Sequence, residues 1–146
     1  MLSSPPHFSR SYKPIMDSKT YASNVSEAKI AADLAHKGFH VFSQSSGKAP
    51  FDLIYADDYC PNVLRRVQVK ACYKPNKSGT YTIQLRTIHT SMKKNTIVKF
   101  DSRKCDILAI YLIDIDKIIY LNPEPLHDTS TIAIHPNQKG IVMEPL

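Results

Sequence analysis

The chain has 146 residues, 42% hydrophobic and 22% charged, which suits one hydrophobic core and is short for two domains. No apolar run reaches the roughly 18 residues of a membrane span, and the first residues lack the apolar stretch of a secretory signal. Three cysteines, Cys60, Cys72 and Cys105, are an odd set without CxxC spacing, which argues against a disulfide framework or a structural zinc site and favours a reducing, cytoplasmic compartment.

Residues 1–20, with Pro5, Pro6 and Pro14 and little apolar pattern, are expected to form a disordered tail, with Met16 as an alternative start. The remaining 21–146 are expected to form a single domain. From Asn24, Val25, Ala28, Ile30, Ala31, Leu34 and Ala35 recur at helical spacing; Ser23 or Asn24 is expected to cap this helix and Gly38 to end it. "FHVFSQ", "FDLIYA" and the longer "VLRRVQVKACY" read as three strands. "KPNKSG" reads as a hairpin turn into the strand "TYTIQLRT". Residues 88–104 are expected to be a mobile basic loop with at most one short strand. "CDILAIYLID" is a continuous apolar run, hence a fully buried strand, and Asp116-Lys117 turns it into an antiparallel partner, "IIYLNP". The C-terminal "STIAIHPNQKGIVMEPL" can add an edge strand. One helix followed by many strands predicts an α+β or α/β fold around a mixed sheet.

Charge is unevenly spread. Residues 60–104 hold eleven Lys/Arg against one acid, Asp101, whereas residues 105–146 are net acidic. A basic block of this kind is the footprint of a polyanion binder; its plainest alternative is a solvated basic surface.

Four polar residues sit where buried strands and a helix face would prefer none: Glu27, Asp52, Gln68 and Lys70. Strand alternation puts Gln68 and Lys70 on one face, about 7 Å apart, with Val67, Val69 and Ala71 on the other. Asp52 follows Pro50 at the start of the neighbouring strand. Glu27 is expected in the first turn of the helix. Acids, an amide and a backbone carbonyl (that of Val69) form an oxygen-rich set for a hard cation such as Mg²⁺, with Mn²⁺ as a substitute. Such a cation activates water against a phosphodiester, and a lysine beside it orients that water or stabilises the developing charge. The competing readings are an internal Asp52–Lys70 ion pair and, for Glu27, a carboxylate favoured only by the helix dipole.

The ordered set "SEAK" on a helix, "PFDLI", "VQVK" and the later "CDILAIYLIDIDKIIYLNP" resembles the PD-(D/E)XK nuclease superfamily over roughly residues 24–125. It is similar most of all to its cyanobacterial group I intron-associated, homing-type endonucleases. The resemblance implies a restriction-endonuclease-like core, a mixed β-sheet flanked by helices, and a Mg²⁺-dependent DNA endonuclease. It implies that Asp52, Gln68 and the Val69 carbonyl bind the metal, that Glu27 supports them, and that Lys70 positions the water. Gln68 departs from the superfamily's usual second acid and leaves the site one negative charge short; in the intron-associated group glutamine is itself the usual residue.

DNA contacts are expected from Ser46, Lys48, Arg65, Arg66, Lys74, Lys77, Arg86, Lys93 and Lys94, with Lys99, Arg103 and Lys104 as further backbone contacts and Arg65, Arg66 and Arg86 able to reach guanine edges. Junction-resolving relatives use a serine near Ser45 and Ser46, although two plain loop serines fit as well. The histidines, His89 among them, show no metal spacing and read as surface or core residues. Asp106 and Tyr111 are expected to orient the last strand pair. One small chain has one active site, so cutting both strands of a duplex requires a homo-oligomer, a dimer or higher. The alternatives are a junction-resolving nuclease selecting DNA by shape and an inactive DNA-binding module of the same fold.

Overall fold

Asp17 sets where regular structure begins. Its carboxylate accepts from the Thr20 N–H at 2.8 Å and from the Thr20 hydroxyl at 3.1 Å, capping the helix α1, Ser18–His36. This is a computed structural model; it describes residues 16–145. Helix α1 starts several residues before the expected Ser23 or Asn24 cap, and residues 18–20, read as tail, are helical. The polar run from Ser18 to Ser23 carries no apolar stripe; the Asp17 cap starts the helix instead. The rest of the expected tail, residues 1–15, lies outside the described residues. Gly38, at φ +99°, ends the helix in the left-handed region.

The strands follow as β1 (His40–Ser43), β2 (Leu53–Ala56), β3 (Leu64–Cys72), β4 (Tyr81–Gln84), β5 (Thr87–Thr90), β6 (Asn95–Val98), β7 (Ile107–Leu112), β8 (Lys117–Leu121) and β9 (Thr131–Ile134). Five of them form a mixed sheet in the order β1-β2-β3-β7-β8; only the central pair, β3 with β7, is parallel. Alternation along β7 sorts two cores. Ala109 and Tyr111 pack with Ile30 and Leu34 of α1, Tyr55 and Val67, while Leu108, Ile110 and Leu112 pack with Tyr81, Ile83 and Ile134 of the β4–β9 pair. The helix therefore covers one face and the small sheet the other. β7 is buried on both faces, as its unbroken apolar run predicts.

Two expectations are corrected. β4 does not return as a hairpin on β3; it pairs antiparallel with β9. The turn instead carries the chain onto the sheet face opposite α1, where Tyr81 and Ile83 pack with Leu108, Ile110 and Leu112. In that turn Asn76 accepts from the Ser78 N–H at 3.0 Å and the Thr80 N–H at 3.2 Å, and Gly79 supplies φ +84°. Residues 88–104 are likewise more ordered than expected. β5 and β6 form a two-stranded ribbon with a turn at 91–94 closed by Ser91 and Lys94, followed by a short 3₁₀ turn, Ser102–Lys104.

The parallel pair is fastened at its start. Asp106 accepts from the Arg66 N–H at 2.8 Å, Nε at 3.1 Å and Nη2 at 3.2 Å, and its own N–H donates to the Arg66 carbonyl at 2.8 Å. Burial alone would raise the Asp106 carboxyl, but the hydrogen bonds from Arg66 outweigh it and hold it below the usual range. Because the folded value is the lower one, this stabilisation is present above the unfolded pKa and is lost as pH falls through the folded one. Asp106→Ala is expected to cost about 1–3 kcal/mol by urea unfolding at pH 7, and the gap to wild type should narrow in acid. An unchanged midpoint would refute the clamp. Among the described residues no disulfide forms, and no helix is long and apolar enough to cross a membrane.

Candidate active site

Strand β2 stops before β3 does. Its register with β3 ends at Leu53 opposite Val67, and the Asp52 N–H adds a last rung to the Val67 carbonyl at 2.9 Å. β3 continues to Cys72 along β7, so its β2-side edge is open from Gln68 onward. The Asp52 side chain enters that opening. Its Oδ2 accepts from the Val69 N–H at 2.7 Å and from Gln68 Nε2 at 3.2 Å. N–H and C=O of one strand residue point to the same edge, so the Val69 carbonyl also faces the opening. Lys70 lies on the same strand face as Gln68.

Asp52 is delivered by a pinned loop. Gln44 Nε2 donates to the Phe51 carbonyl at 3.0 Å, and Gln44 Oε1 accepts from the Ala49 N–H at 2.9 Å. These bonds brace the segment carrying Ser46, Lys48 and Asp52.

Helix α1 closes one side. Glu27 is the tenth helical residue and not a first-turn acid, so the dipole reading of it does not apply. It lines a cavity of about 520 Å³ together with Lys19, Ser23, Asp52, Gln68 and Lys70. The Tyr73 hydroxyl donates to the Ser18 carbonyl at 2.6 Å and ties the end of β3 to the start of the helix. Farther along, the Tyr120 hydroxyl donates to Asp33 at 2.5 Å and Lys29 pairs with Asp116 at 2.9 Å, locking the helix onto β8 and the turn before it.

The charges in the opening are poorly matched. Burial pushes the Asp52 carboxyl up, although the Val69 N–H and Lys70 partly offset it. Burial pushes the Glu27 carboxyl up, Asp52 adds repulsion, and a hydrogen bond from Ser23 offsets part. Burial pulls the Lys70 ammonium down, with Asp52 opposing and Lys19 adding to the fall. Asp52 and Lys70 form no salt bridge within 4.0 Å, which disfavours the simple ion-pair reading. Two desolvated carboxylates that repel each other, beside an amide and a strand carbonyl on the open edge, fit a hard divalent cation that keeps several water ligands. No group of three or more His, Cys, Asp or Glu side chains gathers among the described residues; a set built half from neutral oxygens would not form one.

A sequence profile of the PD-(D/E)XK endonuclease family matches residues 16–140. The chain belongs to this family. Its fold is similar to the solved structure titled "The structure of a bacterial homing endonuclease: I-Ssp6803I", with a TM-score of 0.72 at 17% identity, covering 84% of this chain and 82% of that one. No curated protein sequence matches. The restriction-endonuclease-like core is thus present, with one helix against a mixed sheet.

In this PD-(D/E)XK endonuclease the sequence-predicted residues fall into two groups. Glu27, Asp52, Gln68, Val69 and Lys70 meet at the open edge of β3, and Lys48 borders it. Arg65 and Arg66 lie at the other end of β3, with Arg66 engaged by Asp106 and not extended as a free base reader. Lys74 and Lys77 are exposed in the turn after β3, and Lys93 and Lys94 at the ribbon tip. Arg86 donates its backbone N–H to the Ser130 carbonyl at 3.1 Å; its Nε is buried without a hydrogen-bond partner among the described residues. Sequence reasoning missed Lys19, Ser23 and Gln44. Ser23 and Glu27 are an i, i+4 pair on one helix face, a signal that appears only with a helix beginning at Ser18.

Proposed function

We propose that the chain is a Mg²⁺-dependent DNA endonuclease, with Mn²⁺ as a working substitute, that cuts duplex DNA in the manner of a homing-type enzyme. The observation carrying this reading is the open edge of β3, where Asp52, Gln68, the Val69 carbonyl and Lys70 converge opposite Glu27 and neither carboxylate is held in a salt bridge among the described residues. Asp52, Glu27, the Gln68 amide oxygen and the Val69 carbonyl would hold the cation. When bound, it supplies positive charge at the scissile phosphate and makes water a stronger acid. Asp52 is fixed by the Val69 N–H, so its free carboxylate edge is aimed before any ligand arrives. Lys70 reaches the same space from β3 and holds the attacking water or a phosphate oxygen. Ser23 steadies Glu27. Free cysteines agree with action inside the cell, beside its DNA. A single site of this kind cuts one strand, so a homo-oligomer delivers the double-strand break.

The test is incubation with Mg²⁺ and linear duplex, four-way junction and random-sequence DNA. Cleavage of linear duplex at preferred sequences supports the reading. Cleavage confined to junctions would replace it with a resolving role, and binding without cleavage of any DNA would replace it with a binding module. Gln68→Glu adds the missing charge and is expected to tighten divalent-cation binding at least about tenfold by calorimetric titration. Unchanged affinity would remove Gln68 from the ligand set.

A further inference from the structure

The β5–β6 ribbon stands apart from both cores. Neither hydrophobic core includes any of its residues, and seven of its eight strand residues are exposed. Its two faces differ. The register pairs Thr87 with Val98, Ile88 with Ile97, His89 with Thr96 and Thr90 with Asn95. Alternation therefore puts Thr87, His89, Thr96 and Val98 on one face and Ile88, Ile97, Thr90 and Asn95 on the other.

The first face is turned toward the active site. Thr87, His89 and Val98 line a groove of about 460 Å³ whose far wall includes Gln68 and Lys70. The same groove is bordered by Lys48, Lys99 and Lys104, none of which forms a salt bridge among the described residues. The one acid there, Asp101, is already taken by Arg103, at 2.9 Å and 3.1 Å. Residues 87–100 contain three lysines and no Asp or Glu. A groove with unpaired ammonium groups and no free carboxylate is complementary to a polyanion. A two-stranded ribbon also has the width that the major groove of B-DNA admits.

We propose that this ribbon is the sequence-reading element of the chain. Its Thr87–His89–Thr96 face enters the DNA groove beside the scissile phosphate, and Lys48, Lys99 and Lys104 hold the flanking backbone. The inference rests on the reading of the chain as a DNA endonuclease and adds which element selects the site. Hydroxyls and an imidazole at two-residue spacing meet base edges, whereas the lysines contribute affinity without sequence information.

The experiment selects bound duplexes from a randomised library, without Mg²⁺, so that it does not depend on cleavage. Wild type is compared with Thr87→Ala/His89→Ala/Thr96→Ala and with the opposite-face variant Ile88→Thr/Ile97→Thr, each checked by circular dichroism and by mass in solution. Wild type is expected to enrich a defined sequence. The first variant should lose at least about tenfold of that enrichment while keeping its affinity for bulk DNA, and the second should enrich as wild type does. Lys48→Ala/Lys99→Ala/Lys104→Ala should lower the slope of log affinity against log salt by about 2–3. The proposal is overturned if the first variant selects as wild type does, if wild type selects nothing, or if the opposite-face variant alone changes selection together with oligomer mass, which would make the ribbon a contact between copies of the chain. If wild type selects a sequence but cuts no DNA with any divalent cation, the nuclease reading fails and the ribbon reading stands.

Discussion

Lys70→Ala is expected to fold, to bind duplex DNA, and to cut it about 10²–10³-fold more slowly than wild type, the usual loss when one aimed charge or donor is removed from a developing anion. The variant should fold because Lys70 is a desolvated ammonium without a salt bridge, so its removal relieves a penalty and exposes no carboxylate that it alone had satisfied. Asp52 keeps its bond from the Val69 N–H. Lys70→Arg should recover little, because a planar guanidinium cannot occupy the space of a compact ammonium on the same strand face. Single-turnover cleavage at saturating enzyme separates the loss from binding. A Lys70→Ala enzyme that cuts at the wild-type rate would remove Lys70 from the chemistry.

Asp52→Asn is expected to move activity and stability in opposite directions. The asparagine oxygen, in the place of Oδ2, can still accept from both the Val69 N–H and Gln68 Nε2, so the local bonds survive while a buried negative charge disappears. Burial raises the Asp52 carboxyl in the folded chain, and the neighbouring Glu27 is raised as well. A raised acid binds more protons folded than unfolded, so stability falls as pH climbs from the unfolded pKa through the folded one. At pH 7 in chelator, Asp52→Asn should therefore melt roughly 3–6 °C above wild type, while cleavage falls on the order of 10³-fold. Millimolar Mg²⁺ should raise the melting temperature of wild type and not that of the variant, since only a folded site with its carboxylate gains from the ion. A variant that melts below wild type in chelator would show that the carboxylate is held for structure.

What could be read from the residues alone follows the strength of the local signal. β7 was legible because a continuous apolar run in a chain of this size has to be buried on both faces, and its turn into β8 because Asp116-Lys117 interrupts that run. The convergence of Asp52, Gln68, Val69 and Lys70 was legible because a period of two leaves few ways to arrange polar groups on adjacent strands. The start of α1 was not: residues 18–23 have no apolar stripe, and one capping carboxylate outweighed that lack. The partner of β4 was not, because an alternating pattern shows which face a strand buries and not which strand lies beside it, a tertiary fact. The β5–β6 ribbon was hidden for a related reason. Strand patterns are recognised by the face they bury, and this ribbon buries almost none.

The open edge of β3 has a consequence for solubility as well as for chemistry. An unpaired strand edge is a template on which another chain can add a strand and begin to aggregate, and native sheets guard such edges with charges. Here the guards are the site's own residues: Asp52 occupies the Val69 N–H that an incoming strand would need, and Lys70 adds a charge next to it. Substitutions that keep that N–H occupied, such as Asp52→Asn, should give well-behaved inactive protein. Those that vacate it, such as Asp52→Ala, should give protein that self-associates as its concentration rises. In this sheet, the residues proposed to cut DNA also keep the chain apart from its own copies along that edge.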